Sequence, residues 1–268
     1  MKNILTKIFR SKKILSSKEI SFFEITKKTK VSEIFRAISN YNELSEIRYV
    51  GGCVRKILNE EEFDDIDLAT NLKPDEVKEC LKQNNIDFFE TGIDHGTITA
   101  RINEKNFEIT SLRKDVSTDG RRAVVEFTNQ WMEDSLRRDF TINSIYADKE
   151  GNLFDPNDGV KDLKNGKIEF IGDPEKRIKE DYLRLLRYIR FFLNYSKQDH
   201  KLNVKKIIKQ NINGIVKLSK ERLIDELKKL VISNRFIEIS EDKICEGIIS
   251  LIFPQLKNIK SFLSIPLL

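Results

Sequence analysis

The stretch with the most evident chemistry is Asp65-Ile66-Asp67-Leu68. Read as a strand, it sends alternate side chains to opposite faces. Asp65 and Asp67 then project to one side, while Ile66 and Leu68 face a core. Two carboxylates one residue apart repel each other and make a hard, oxygen-rich site suited to Mg²⁺. Asp64 precedes them and Glu60-Glu61-Glu62 lies just upstream, so a charged surface loop is the plain alternative. The segment before it, Tyr49-Val50-Gly51-Gly52-Cys53-Val54-Arg55, tips the balance. Its pattern predicts a strand that runs through a glycine pair into a helix. Glycine admits the backbone conformations in which successive N–H groups converge on an anion, and a helix N-terminus adds positive potential. Arg55, early in that helix, can fork onto a phosphate. A phosphate cradle and a metal pair this close in sequence describe a site for a nucleoside triphosphate with its metal.

The elements that must hold these residues follow from periodicity. From about 46 to 172, short strand-like runs alternate with helical ones. Strands are predicted at Ile47–Val50, Ile66–Ala69, Thr97–Ile102, Phe107–Leu112, Ile142–Ala147 and Ile168–Ile171. Helices fit 31–40, 53–59 and 74–83. In the last of these Pro74 suits the first helical position, and Asp75 and Glu76 suit the positive end. From about 174 onwards no strand pattern is convincing; Leu183, Leu186, Ile189 and Phe192 recur at helical spacing, as do Leu223, Leu227 and Leu230. The reading is an α/β head followed by an all-helical unit, with the boundary near Asp173-Pro174. Lys114–Arg121 has no periodicity and reads as a polar loop.

Composition narrows the classes. A chain of 268 residues can bury a sizeable core, and no stretch approaches the ~18 apolar residues of a membrane span. Cys53, Cys80 and Cys245 have no CxxC or His-rich spacing, which argues against a disulfide framework or a zinc site and for a reducing compartment. A net charge of +5 hints mildly at an anionic partner. Residues 1–30 hold nine Lys/Arg and two acids, with Ile4, Leu5, Ile8 and Phe9 at one-face spacing. They read as a basic arm on a cytosolic protein, with a transit peptide as the alternative.

Gly51-Gly52-Cys53-Val54-Arg55 followed by Asp65-Ile66-Asp67-Leu68-Ala69-Thr70 resembles the opening motif of the class II tRNA nucleotidyltransferases and bacterial poly(A) polymerases, members of the polymerase-β-like nucleotidyltransferase superfamily. The likeness continues in order. Phe107-Glu108-Ile109-Thr110-Ser111-Leu112-Arg113 resembles the strand with the third carboxylate, and Arg137-Arg138-Asp139-Phe140-Thr141-Ile142-Asn143 the segment that handles triphosphate and ribose. Glu180-Asp181-Tyr182-Leu183-Arg184 resembles the base-reading helix motif, and Ser219-Lys220-Glu221-Arg222 with Glu226 the helix that braces it. The resemblance covers roughly residues 46–232.

The resemblance implies an α+β fold: a basic arm over 1–30, a head with a mixed sheet over 31–172, and a helical neck with the start of an RNA-binding body over 173–268, body and tail being largely absent. It implies that Asp65, Asp67 and Glu108 hold two Mg²⁺ ions, that Gly51, Gly52, Arg55, Arg137 and Arg138 meet phosphate, and that Asp139 and Asn143 meet ribose. Asp181 and Arg184 would read the base, with Glu180, Arg187, Arg222 and Glu226 in support. On a helix, residues three apart share a face. There an Asp accepts from an exocyclic amine and an Arg donates to a ring nitrogen or carbonyl, which suits cytosine and adenine. An ordinary ion pair is the alternative. Arg187 and Arg190 continue a basic stripe toward an RNA backbone.

The implied activity is addition of CMP and AMP from CTP and ATP to a tRNA 3′ end (CCA addition) in the cytoplasm, with no membrane or DNA partner. Gly92-Ile93-Asp94-His95-Gly96-Thr97 resembles a segment of the tRNA enzymes, which favours them over the poly(A) polymerases; His95 itself reads as structural. The pattern through Asp119-Gly120-Arg121-Arg122-Ala123-Val124 looks most like the alphaproteobacterial branch. CC-only or A-only addition, poly(A) synthesis and a non-catalytic RNA-binding remnant stay open. Two departures stand out: Lys56 where the family has Asp, and Leu58-Asn59-Glu60 where it has Leu-Gly-Arg. The apolar ending Phe262–Leu268 reads as a partner surface or a cut domain.

Overall fold

The computed structural model describes Phe22, residues 24–27, 29–118 and 123–252. The expected face of Ile4, Leu5, Ile8 and Phe9, the Asp119–Arg121 part of the loop and the apolar ending lie outside the described residues. Within the expected arm, Phe22 is fully buried against Tyr49, their ring centroids 5.6 Å apart.

Helix α1 (Val31–Ser39) buries Val31, Ile34, Phe35 and Ile38, a run at i, i+3, i+4 and i+7 that puts one apolar stripe on the core. Strand β1 (Ile47–Val50) leads through Gly51 into helix α2 (Gly52–Leu58), and strand β2 (Asp67–Thr70) follows the acidic loop. Helix α3 (Pro74–Gln83) starts with Pro74, and Glu76 Oε2 accepts from the Lys73 N–H at 2.7 Å. Then come β3 (Asp87–Gly92), β4 (Thr97–Ile102), β5 (Lys105–Ser111), the hairpin β6 (Arg113–Thr118) and β7 (Ala123–Phe127), helix α4 (Trp131–Leu136), β8 (Tyr146–Ala147), β9 (Leu153–Phe154) and helix α5 (Gly159–Lys164). The main sheet has the order β3-β4-β5-β2-β1-β8-β9. Only β2 and β5 pair in parallel, so the sheet is mixed.

Three expectations change. Lys114–Thr118, read as loop, is strand, paired antiparallel with β7 apart from the main sheet. Ile142–Ala147 is not one strand: a 3-10 turn covers Thr141–Asn143, and only Tyr146–Ala147 pairs. The cause is local, since Asp139 Oδ1 accepts from the Phe140 N–H and from Asn143 Nδ2, giving the backbone an alternative to a ladder. Ile168–Ile171 contributes a single bridge, Phe170 to Phe140.

From Pro174 onwards the described residues form helices and no strand. Helix α6 (Pro174–Glu180) is capped by Asp173, whose Oδ1 accepts from the Lys176 N–H at 2.8 Å. Helix α7 (Leu183–Tyr195) buries Leu186, Ile189 and Phe192 as expected. Helices α8 (Leu202–Asn211), α9 (Lys220–Val231) and α10 (Lys243–Ile252) pack around it. One contiguous apolar cluster runs from Phe22 through Leu68 and Ile109 to Ile189 and Ile249, joining sheet and helices. A smaller cluster of Val50, Ala69, Leu112, Trp131 and Tyr146 covers the other face of the sheet.

Candidate active site

The parallel register sets Asp67 on β2 beside Glu108 on β5, with Asp65 two residues upstream in the loop feeding β2. By alternation, Asp67 shares its face with Ala69, above the smaller apolar cluster. Burial and the Glu108 charge push the Asp67 carboxyl up to about 6; Arg138 and Arg55 pull it down, and Asp65 adds to the rise. Two carboxylates beside a third disfavour its charge and concentrate negative potential, and an all-oxygen donor set fits a hard divalent cation. Asp65 and Glu108 are exposed and Asp67 half-buried, so the corner is open to a substrate.

Among the described residues, the three His, Cys, Asp or Glu whose ligand atoms lie within 4.8 Å of one another are elsewhere: His200, Asp242 and Cys245. Their polar atoms are spent internally. His200 Nδ1 meets Tyr188 Oη at 2.9 Å and Nε2 meets Asp242 Oδ2 at 2.7 Å, while Asp242 Oδ1 accepts from the Ile244 and Cys245 N–H groups. The group fastens the start of α10 to α7.

Gly51 takes φ 70° and ψ −120°, a conformation open to glycine alone at low cost. A Cβ there would stand 3.7 Å from Arg138 Nη1, and a Cβ on Gly52 would stand 4.0 Å from both Arg55 Nη2 and Asp67 Oδ2. The glycine turn therefore lies where two guanidiniums and the carboxylate corner meet. Arg137 and Arg138 are held by one residue that spacing did not single out, Asp134 on α4. Asp134 Oδ1 accepts from Arg137 Nε at 2.8 Å, and Oδ2 from Arg138 Nη2 at 2.9 Å and Tyr146 Oη at 2.7 Å. Burial would raise the Asp134 carboxyl, but Arg138 and Arg137 hold it well below the usual range. The i, i+3 and i, i+4 spacing of Asp134 to the two arginines was the available signal.

Arg55 is turned inward at the glycine turn. It is 6% exposed, donates to Asn143 Oδ1, and lies over the rings of Phe191 and Tyr195 at 4.8 and 5.0 Å. Asn143 Nδ2 donates onward to Asp139 Oδ1 at 2.9 Å, and Arg187 Nε donates to Asp139 Oδ2 at 2.6 Å. Burial opposes the Asp139 charge, yet Arg187 and Asn143 bring its carboxyl down to about 2. The two residues assigned to ribose thus sit together, linked to α2 on one side and α7 on the other.

Asp181 and Arg184 do not lie on one continuous helix. Asp181 is extended, with φ −154° and ψ 106°, between α6 and α7. Its Oδ1 accepts from the Leu183 N–H at 3.1 Å, so this Asp caps the second helix instead of continuing the first. The Tyr182 ring fills the space over Gly214, where a Cβ would fall 1.9 Å from it. Arg222 Nη2 meets Asp181 Oδ2 at 2.8 Å and Arg184 Nη1 meets Glu180 Oε2 at 2.6 Å, while Arg190, read as part of a basic stripe toward RNA, instead pairs with Glu226, its Nε 2.5 Å from Oε1. Arg177, another residue missed in sequence, donates to the Arg137 and Arg138 carbonyls and pairs with Glu180, tying the end of α6 to the twin arginines.

A mixed sheet that brings registered carboxylates to the mouth of a glycine turn is the architecture of a nucleotidyltransferase head. Residues 47–169 match the family described as the Poly A polymerase head domain. The human mitochondrial CCA tRNA nucleotidyltransferase 1 is 47% identical over 195 residues, 72% of this chain and 45% of the relative. The CCA-adding enzyme of Lactobacillus helveticus is 39% identical over 187 residues, 69% of this chain and 46% of the relative. The crystal structure of the Bacillus stearothermophilus CCA-adding enzyme in complex with CTP superposes with a TM-score of 0.69 at 26% identity, covering 82% of this chain and 52% of the other. A tRNA nucleotidyltransferase complexed with a primer tRNA and an incoming ATP analog gives 0.63 at 26% identity, covering 89% and 64%. Residues 47–169 thus carry a head of the Poly A polymerase head-domain kind, and the chain around them is similar to CCA-adding enzymes. It spans about half the length of the curated relatives it matches.

Proposed function

We propose that this chain adds CMP and AMP from CTP and ATP to the 3′ end of a tRNA, choosing each nucleotide with protein side chains and no template. The observation that carries the reading is the register that sets Asp67 beside Glu108 at the Gly51-Gly52 turn. Asp65, Asp67 and Glu108 would hold two Mg²⁺ ions, whose chemistry there is to lower the pKa of an attacking hydroxyl and offset the charge of the leaving pyrophosphate. The rest is positioning by the chain itself. Arg138, aimed at the turn and held by Asp134, binds the triphosphate with Arg137 beside it. Asp139, kept ionised, accepts from the ribose 2′-hydroxyl, and Asn143 orients it. Asp181 accepts from the exocyclic amine that cytosine and adenine share, and Arg184 donates to the ring nitrogen next to it.

The names of the relatives support tRNA as the acceptor, and the CTP and ATP-analog complexes among the solved structures support the nucleotides. Among the described residues no helix is long and apolar enough to cross a membrane. Three free, buried cysteines are in keeping with a reducing compartment, for which we propose the cytoplasm. Poly(A) synthesis is the second reading, favoured by the description of the matched head family.

The test is extension of a tRNA lacking CCA by the purified chain with Mg²⁺, supplying each triphosphate singly and then CTP with ATP. Growth by three nucleotides only with both is expected. A long ladder with ATP alone would establish the second reading. No extension by folded protein would contradict both.

A further inference from the structure

Asp139 is the carboxylate to which the proposed function gives the ribose 2′-hydroxyl, and its acceptor positions are already filled. Oδ1 accepts from the Phe140 N–H and from Asn143 Nδ2, each at 2.9 Å. Oδ2 accepts from Arg187 Nε at 2.6 Å and meets Arg187 Nη2 at 2.6 Å. A carboxylate offers about four such positions, so none is left for a ligand. The donors differ in how firmly they are held. Phe140 donates from its backbone. Asn143 is fixed from its other end by Arg55, which is itself packed on Phe191 and Tyr195. Arg187 is the looser partner: its side chain is 30% exposed, and its guanidinium lies 5.4 Å from the Phe191 ring, further than Arg190 at 4.4 Å.

We infer that Arg187 is a specificity-determining residue: it occupies Asp139 in the free protein where a 2′-hydroxyl would sit, and a ribonucleotide binds by displacing at least one of its two hydrogen bonds. The inference rests on the nucleotide-binding reading above. The guanidinium and the hydroxyl compete for Oδ2. A deoxynucleotide leaves the pair closed and gains nothing there. Arg187 also stands one helical turn beyond Arg184 on α7, so its release couples occupation of the ribose corner to the helix that carries the base-reading arginine.

The test is equilibrium titration of CTP and 2′-deoxy-CTP, without RNA, at pH 8 where Asp139 stays ionised. Arg187→Met removes the donors and keeps an aliphatic stem against Phe191. It is expected to raise the preference for CTP over deoxy-CTP about tenfold, the worth of one hydrogen bond to a charged group. Any loss of general attraction for triphosphate falls on both nucleotides and leaves the ratio unmoved. Arg187→Lys, which keeps the charge, is expected to give a smaller rise and serves if the Met variant does not fold. An unchanged ratio in both variants would make Arg187 merely structural, and a lowered one would make it a prop; either overturns the inference while leaving nucleotide binding intact. If Asp139→Asn keeps the wild-type ratio, the ribose assignment itself falls. If the wild-type chain binds neither nucleotide, the underlying reading falls.

Discussion

Asp134 carries two arginines on one buried carboxylate, so its loss is felt at both. Replacing it by Asn leaves Arg138 and Arg137 without their counter-charge, a change of the kind that costs about 3–5 kcal/mol. Asp134→Asn is expected to lower stability by that order in urea titration and to weaken CTP binding more than deleting a surface pair would. Asp139 gives a pH signature. Its folded pKa, about 2, lies below the ordinary carboxylate value, so its contribution to stability is present above about pH 4 and is lost as pH falls through the folded value. Asp139→Asn should therefore be less stable than wild type by about 2 kcal/mol at pH 6, and most of that gap should be gone by pH 2. A gap that persists undiminished at pH 2 would mean that the ionised carboxylate is not what stabilises the fold. Asp65, Asp67, Gly51 and Gly52 were legible because their types and spacing are local. The Arg187–Asp139 and Arg222–Asp181 pairs join residues far apart in sequence, so no spacing could reveal them.

At the scale of elements, the break between α6 and α7 decides where Asp181 and Arg184 stand. The Tyr182 ring occupies the space beside Gly214, and a methyl group there would force the ring away. Gly214→Ala is expected to cost about 1–3 kcal/mol and to loosen the choice of C and A over U and G. Unchanged selectivity across four triphosphates, in a variant of lowered melting temperature, would detach base choice from this break. Helices α1 and α3, which periodicity revealed, each have one clean buried face. Strand β3 escaped notice because it lies at the sheet edge with Phe89 exposed, so its hydrophobic pattern does not alternate. Strands β6 and β7 pair only with each other, and Lys114 and Asp115 interrupt any apolar alternation in β6. The helix across Asp181 was misread because an Asp in a helical pattern can equally end one helix and cap the next.

For the whole molecule, the contiguous core makes the sheet and the helices one packed body, so the Gly51-Gly52 turn and the Asp181–Arg184 corner are held relative to each other. The α+β class and the mixed sheet followed from alternating patterns and the resemblance together; the strand order did not, since pairing is long-range. Relatives about twice as long share this portion, and tRNA affinity measured on this chain asks what that portion supplies. Binding dominated by phosphate contacts should weaken steeply with added salt, about one power of salt per contact. A salt-independent affinity would point to recognition through bases or shape.

The most direct test of the central claim is extension of a tRNA ending in CC with ATP and Mg²⁺, comparing wild type with Asp67→Asn at matched thermal stability. Addition of a single A by the wild-type chain is expected, with a loss of at least about 1,000-fold in rate for the variant if Asp67 holds a metal. Equal rates in the two proteins would contradict the assignment of the chemistry to Asp65, Asp67 and Glu108.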